Sequence, residues 1–177
     1  MQNSTYQPLA ISRFLFSNTK MSVIWLVIRL YVGIQWVLSG YGKLTDPAWF
    51  GSGAGAKLGG FIQGALKKTS GDHPDVQGWY ASFLENVILP HLTFWSHVVT
   101  LGEICVGIAL VLGLFVGVAA FFGAFMNLNF LLAGTVSINP VLLPLEILLV
   151  LAWRIAGRIG LDYFILGIWQ KLTKQKK

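Results

Sequence analysis

Residues 92–133 read LTFWSHVVTLGEICVGIALVLGLFVGVAAFFGAFMNLNFLLA, a stretch with one acidic residue, Glu103, and neither lysine nor arginine. It is about twice as long as the ~17–25 apolar residues with which an α-helix crosses the hydrocarbon core of a bilayer. Leu112-Gly113-Leu114 lies near its centre and leaves room only for a tight turn. Because a helix satisfies its own backbone groups in lipid, the stretch predicts two membrane helices, over residues 92–113 and 115–133.

Two further apolar stretches, residues 21–42 and 141–157, complete a predicted set of four spans. The composition agrees, since 55% of the 177 residues are hydrophobic and 11% are charged, whereas a soluble domain carries about 25% charged residues. We therefore expect one all-α domain, a four-transmembrane-helix bundle. Asn139 and Pro140 predict the start of the fourth helix, with Asn139 as the N-cap and Pro140 at the first helical position.

The connection over residues 43–91 is nearly neutral, whereas basic residues accumulate in the two terminal segments. By the positive-inside rule, this distribution predicts a multi-pass protein with both termini in the cytoplasm and the connection outside. The connection is aromatic and amphipathic, as in segments that lie among lipid headgroups. Apolar residues recur at helical spacing near the C-terminus and predict an interfacial helix over residues 160–172.

The net charge of +6 alone would be compatible with nucleic-acid binding, but the basic residues form no patch with interleaved stacking aromatics. Four lysines follow the last apolar stretch, where they would lie beside anionic lipid. We expect the lipid bilayer as a partner and no nucleic acid. The single cysteine, Cys105, excludes an internal disulfide, so a partner or substrate must bring the second sulfur of any thiol chemistry.

Polar residues inside the spans are Arg29 in the first, Glu103 in the second, Asn127 and Asn129 in the third, and Glu146 in the fourth. A charge near the bilayer centre costs roughly 2.5–3.5 kcal/mol on insertion scales, so it usually faces a partner, a cavity or a ligand. The spans therefore predict a polar interior.

Helical spacing places Arg29 and Trp36 on one glycine-bearing face, and Glu103 and Asn127 also share their faces with glycines. We expect these faces to point inward, with Arg29 paired to Glu103, Glu146 or both. Two interpretations remain open: an ion pair that sets helix register, or a polar pocket for a headgroup or a proton-coupled ligand. Two carboxyls outnumber one guanidinium, so we expect one carboxyl to be protonated or to face a ligand.

The histidines at the start of the second span, His91 and His97, point to different helix faces and are poorly placed to chelate one metal. We therefore predict no metal site. The candidate catalytic residues are Glu103 and Glu146. The candidate cofactor-binding residues are Arg29, Trp36, Asn127, Asn129 and His97.

Short motifs along nearly the whole chain resemble the DoxX family. These motifs are Arg29-Leu30 with Gly33, Gly40 and Lys43-Leu44; Gly102-Glu103 with Gly107, Leu110 and Gly113; Met126-Asn127-Leu128-Asn129-Phe130 with Ala133-Gly134, Ser137 and Asn139-Pro140; and Gly160-Leu161-Asp162. The resemblance implies a four-helix protein of the bacterial inner membrane without bound metal or flavin. Relatives called DoxD are similar to a subunit of thiosulfate:quinone oxidoreductase, which passes electrons from sulfur compounds to membrane quinone.

We therefore expect a membrane-embedded, quinone-interacting subunit of a sulfur- or thiol-linked oxidoreductase system, with menaquinone or ubiquinone as cofactor. Arg29 and the asparagines would donate hydrogen bonds to the quinone oxygens, and a carboxyl would deliver protons. A soluble or membrane redox partner and a homo-oligomer are further expectations. The alternative functions are a small-molecule or lipid transporter, and a membrane scaffold for a soluble redox partner.

Overall fold

The computed structural model describes residues 9–165, and all regular secondary structure within that range is helical, which confirms the all-α class. Residues 161–165 are helical, and the rest of the predicted interfacial helix lies outside the described residues. The other α-helices are α1 (Ala10–Ser17), α2 (Ser22–Leu44), α3 (Pro47–Phe50), α4 (Ala56–Leu66), α5 (Gly78–Phe83), α6 (Leu92–Leu112), α7 (Val116–Leu132), α8 (Asn139–Leu151) and α9 (Trp153–Ala156).

Two helical stretches are long and apolar enough to cross a membrane: Thr19–Leu44, with a mean hydropathy of 1.7, and Gly78–Leu112, with 1.8. Helices α7 and α8 are also apolar but shorter, at 17 and 13 residues. The predicted fourth span is divided, because Ala152 leaves helical geometry before α9 begins.

The start of α8 differs from the prediction. Ile138 holds the N-cap position and Asn139 is the first helical residue. The Asn139 side-chain amide donates a hydrogen bond backward to the Thr135 carbonyl at 3.0 Å, so it does not cap the helix. Pro140 lies in the first turn, where its missing N–H is not needed.

Helix α2 packs extensively against α6, and α7 against α8, with α6 and α7 also in contact. The α2–α6 crossing depends on glycine at Gly107, where a Cβ atom would lie 2.6 Å from the Val37 backbone nitrogen. A larger residue there would separate the helices, as expected where membrane helices approach on small residues. The inward-facing glycines predicted for α2 and α6 are confirmed.

The turn between α6 and α7 is as tight as predicted, with Gly113 and Phe115 in the left-handed region at φ 69° and 48°. A Cβ atom at Gly113 would also lie 1.7 Å from the guanidinium nitrogen Nη1 of Arg29. Glycine is therefore required at residue 113 both for the backbone conformation and for the space it leaves.

The connection between α2 and α6 folds into an apolar cluster of its own. Its π-helical segment, Leu84–Ile88, and the 3₁₀ turn Leu89–His91 join α5 to α6. The cluster also includes Ala133, at the end of α7. Its buried members from the connection are Leu58, Ile62, Ala65, Val76, Tyr80, Ala81, Leu84 and Ile88.

Candidate functional site

Arg29 does not pair with Glu103 or Glu146, so the predicted pairing is wrong. Its buried guanidinium donates to the carbonyl oxygens of Ala156 at 3.3 Å and Ile159 at 2.8 Å. Glu146 instead meets α2 at Trp36, seven residues further along, which is about 10 Å of helical rise. Face periodicity placed both side chains inward but carries no information about their depth along the bundle.

Asp162 is a buried acidic residue that the sequence singled out only as part of a motif. Its carboxylate accepts from the backbone N–H groups of Phe115 at 2.6 Å and Val116 at 3.0 Å, at the start of α7. Its own N–H donates to the Gly113 carbonyl at 2.9 Å. Asp162 therefore ties the segment after α9 to the α6–α7 turn, and the available signal was one acid in an otherwise apolar periodic stretch.

Glu103 is fully buried and forms an ion pair with Lys43. The Lys43 ammonium donates to both carboxylate oxygens, at 2.8 and 2.9 Å, and to Ser39 Oγ at 2.8 Å. It also lies 5.2 Å from the ring centroid of Trp49, within range of a cation–π interaction. The charge of Glu103 is therefore compensated by the last turn of α2, a role that the sequence analysis did not give to Lys43.

Glu146 lies in a different environment, which we call the Glu146 cluster: Trp36, Asn127 and Glu146. Trp36 Nε1 donates to Glu146 Oε1 at 2.6 Å, and Asn127 Nδ2 donates to Oε2 at 2.7 Å. All three side chains are buried. Gly123 makes room for the carboxyl, because a Cβ atom there would lie 2.8 Å from Glu146 Oε1. The cluster unites three of the seven predicted site residues.

Among the described residues, the Glu146 cluster leaves its carboxyl without a counter-ion and one amide oxygen without a hydrogen-bond donor. Within residues 9–165, no lysine, arginine or histidine nitrogen lies within 4.0 Å of the Glu146 carboxyl. The Oδ1 atom of Asn127 is buried and receives no hydrogen bond from the described part of the chain. Buried polar atoms are nearly always partnered, so an orphaned acceptor beside a carboxyl marks a site for a donor.

An aromatic cavity of about 190 Å³ lies between the connection cluster and helices α6 and α7. Two residues with polar side chains, Tyr80 and Asn129, line it. The Tyr80 hydroxyl donates to the carbonyl oxygen of Asn129 at 2.9 Å and to its Oδ1 at 3.1 Å. Val98 and Phe125 also line the cavity and are 41% and 55% exposed, so it reaches the molecular surface. Its aromatic lining residues are Phe61, Tyr80, Phe83, Trp95, Phe125 and Phe130.

Phe130 lies close to both this cavity and the Glu146 cluster. Its ring centroid lies 6.1 Å from that of Phe61, in the cavity wall, and 6.4 Å from that of Trp36. A second cavity of about 240 Å³, between α2 and α8, is lined by Trp36, Phe130 and Asn139. One side chain of α7 therefore contacts both spaces.

Asn129 and His97 lie away from the buried carboxyls. Asn129 contributes to the aromatic cavity, and its Nδ2 also donates to the Phe125 carbonyl at 2.8 Å. The His97 ring packs against Phe50, with centroids 4.5 Å apart. No group of three or more His, Cys, Asp or Glu residues that could hold a metal ion occurs in the described range.

A protein-family model described as DoxX matches residues 24–136, well over half of the chain. The match includes Arg29, Glu103, Asn127 and Asn129 and ends before Glu146. No curated protein and no solved structure matches the chain.

Proposed function

This chain belongs to the DoxX family of membrane proteins, and we propose that it binds a quinone in its aromatic cavity. In this proposal the chain is the membrane subunit of a sulfur- or thiol-linked oxidoreductase system, and the quinone is menaquinone or ubiquinone. The observation that carries the proposal is the cavity itself: aromatic walls, an opening to the apolar surface, and the paired polar groups of Tyr80 and Asn129.

The proposal includes four membrane spans, α2, α6, α7 and the divided α8–α9. The outward faces of the shorter helices support lipid contact, since Phe121 and Phe122 of α7 and Leu151 of α8 are all more than half exposed. Large exposed apolar surfaces on a soluble protein would be an aggregation liability. We place the chain in the bacterial inner membrane, as the family resemblance implies. Both termini would lie in the cytoplasm, because the terminal segments carry the excess of basic residues.

The polar pair in the cavity suits both oxidation states of a quinone. A quinone oxygen accepts hydrogen bonds, whereas a quinol hydroxyl also donates them. The Tyr80 hydroxyl donates to Asn129 within the chain and would turn to donate to a quinone oxygen or accept from a quinol hydroxyl. The Asn129 amide donates one hydrogen to the Phe125 carbonyl and keeps a second for a quinone oxygen. The surrounding aromatic rings provide flat apolar surface against which a quinone ring can stack.

The remaining roles divide between the chain and a partner. Cys105 is the only cysteine, so the chain has no dithiol, and a redox partner supplies electrons in this proposal. Arg29 and Glu103 are occupied by intramolecular contacts, and we assign them to the architecture. Glu146 is the remaining candidate for proton transfer.

Titration of the purified protein with a short-chain ubiquinone analogue, followed by calorimetry, tests the proposal. We expect Tyr80→Phe and Asn129→Leu each to weaken binding about tenfold, which corresponds to the loss of one hydrogen bond. Tyr163→Phe is the matched control, because Tyr163 is 58% exposed and does not line the cavity. Wild-type protein that binds no analogue and co-purifies with phospholipid alone would overturn the proposal and favour transport or scaffolding.

A further inference from the structure

We infer that Glu146 carries a proton in the folded protein and that Glu103 does not. The two residues provide a direct contrast, because each is 0% exposed and each lies on a helix of the bundle. Both Glu103 oxygens accept from the Lys43 ammonium. Both Glu146 oxygens accept instead from neutral groups, the Trp36 indole and the Asn127 amide.

Within residues 9–165, the charged side chains on the elements packed against α8 are engaged elsewhere or absent. Helix α2 carries Arg29, which donates to carbonyls after α8, and Lys43, which pairs with Glu103. Helix α7 has no ionisable residue. On α9, Arg154 is exposed and lies 5.1 Å from the Trp153 ring centroid. An ionised carboxylate without a cation is costly in such an interior, and a group placed there keeps its proton instead.

Asn127 is suited to either protonation state of Glu146. In the described geometry its Nδ2 donates to Oε2, an oxygen that can accept in either protonation state. The oxygen and nitrogen of a side-chain amide are nearly interchangeable in shape. After a half-turn of the amide, the orphaned Oδ1 would face Glu146 and accept from the protonated carboxyl. A protonated Glu146 would therefore find an acceptor for its O–H group inside the cluster.

This inference names a proton donor for the proposed function. Only the donation of that proton to a quinone rests on the proposed function. A quinone that receives two electrons from the redox partner takes up two protons to become a quinol. Glu146 would supply one of these protons and become a carboxylate, and water would supply the other. Phe130 lines the aromatic cavity and packs near Trp36 of the Glu146 cluster, and the proton would pass it through water, because a phenyl ring cannot relay one. The protonation of Glu146 itself does not depend on a bound quinone.

Infrared spectroscopy of the purified protein at pH 7, without added quinone, tests the inference. A protonated carboxyl has a C=O stretching band that an ionised one lacks, and the band shifts when H₂O is replaced by D₂O. We expect this band in the wild type and in Glu103→Gln, and its loss in Glu146→Gln. A wild type without the band, or a band that disappears in Glu103→Gln alone, would overturn the inference.

A second variant keeps the test decisive if Glu146→Gln does not fold. Trp36→Phe retains the carboxyl and removes one of its two donors, so the C=O band should move to a different frequency. The control is Trp153→Phe, because Trp153 is 41% exposed and makes no hydrogen bond to Glu146. A band that stays unchanged in Trp36→Phe would assign it to another carboxyl. Either result leaves the quinone titration as a separate test of the proposed function.

Discussion

The Lys43–Glu103 pair and the Glu146 cluster each bury a glutamate side chain to the same extent, but the groups around the two carboxyls differ. Glu103 receives a full positive charge, whereas Glu146 receives two neutral N–H groups. Burial alone therefore does not distinguish a carboxyl that supports the fold from one that is available for chemistry. The charge of the partner makes the distinction, because an ion pair holds the carboxylate ionised and neutral donors allow a proton to bind.

We expect the largest effect on stability from removing Lys43, the cation of the Lys43–Glu103 pair. Lys43→Met leaves Glu103 buried and uncompensated, and we expect a loss of about 3 kcal/mol in the free energy of unfolding, near the lower end for broken buried pairs. The measurement is thermal or chemical unfolding in mild detergent. Lys57→Met is the control, because the Lys57 side chain of the Lys57–Asp46 pair is 58% exposed and surface pairs contribute about 0–1 kcal/mol. Equal losses in the two variants would contradict the assignment.

Asp162 tests how much a buried carboxyl contributes as a cap of α7, where backbone N–H groups are its hydrogen-bond donors and Arg29 is near enough to attract it electrostatically. Asp162→Ala removes the acceptor for two N–H groups at the start of α7. We expect a loss of about 1–2 kcal/mol, the range for helix caps. Unfolding under the same conditions measures it, and Asp162→Asn should recover part of the loss because its side-chain oxygen still accepts one bond. An Asp162→Ala variant as stable as the wild type would remove the capping role.

Glu146→Gln tests the same comparison at the Glu146 cluster. If Glu146 is neutral in the folded protein, its replacement by the neutral amide should change the free energy of unfolding by less than about 1 kcal/mol, since Trp36 keeps an acceptor. Glu103→Gln should cost more, because it leaves the Lys43 ammonium without its carboxylate. The reverse order of stabilities would show that the charges are assigned to the wrong carboxyls.

The smallest effect is expected at Asp46, outside the proposed spans. A hydrogen bond from Lys57, and then one from the Ala48 backbone, lower the pKa of Asp46 below its ordinary value of 3.8. Because the folded pKa is lowered, the stabilisation is present above the ordinary value and is lost as the pH falls through the lowered one. The Tm difference between wild type and Asp46→Asn should shrink on acidification over that range. A difference that grows there would contradict the sign.

The helices and their inward faces were accessible from local patterns. Apolar length predicted the positions of α2, α6 and α7 to within a few residues, and helical periodicity placed Arg29, Glu103 and Asn127 inside. Trp36, Asn127 and Glu146 were among the predicted site residues and lie together. The aromatic cavity was not predicted, because it depends on how the connection over residues 43–91 folds back onto α6 and α7.

What the amino-acid sequence determined by itself was the set of apolar helices, the tight turn at Gly113 and the burial of several polar groups. These properties follow from hydrophobic length, periodicity and backbone freedom, which act within a single helix or turn. Only the tertiary structure decided the partners: Lys43 for Glu103, backbone carbonyls for Arg29, and Trp36 with Asn127 for Glu146. Partner choice depends on the axial register of neighbouring helices, and contacts such as Gly107 against Val37 set that register across long sequence separations.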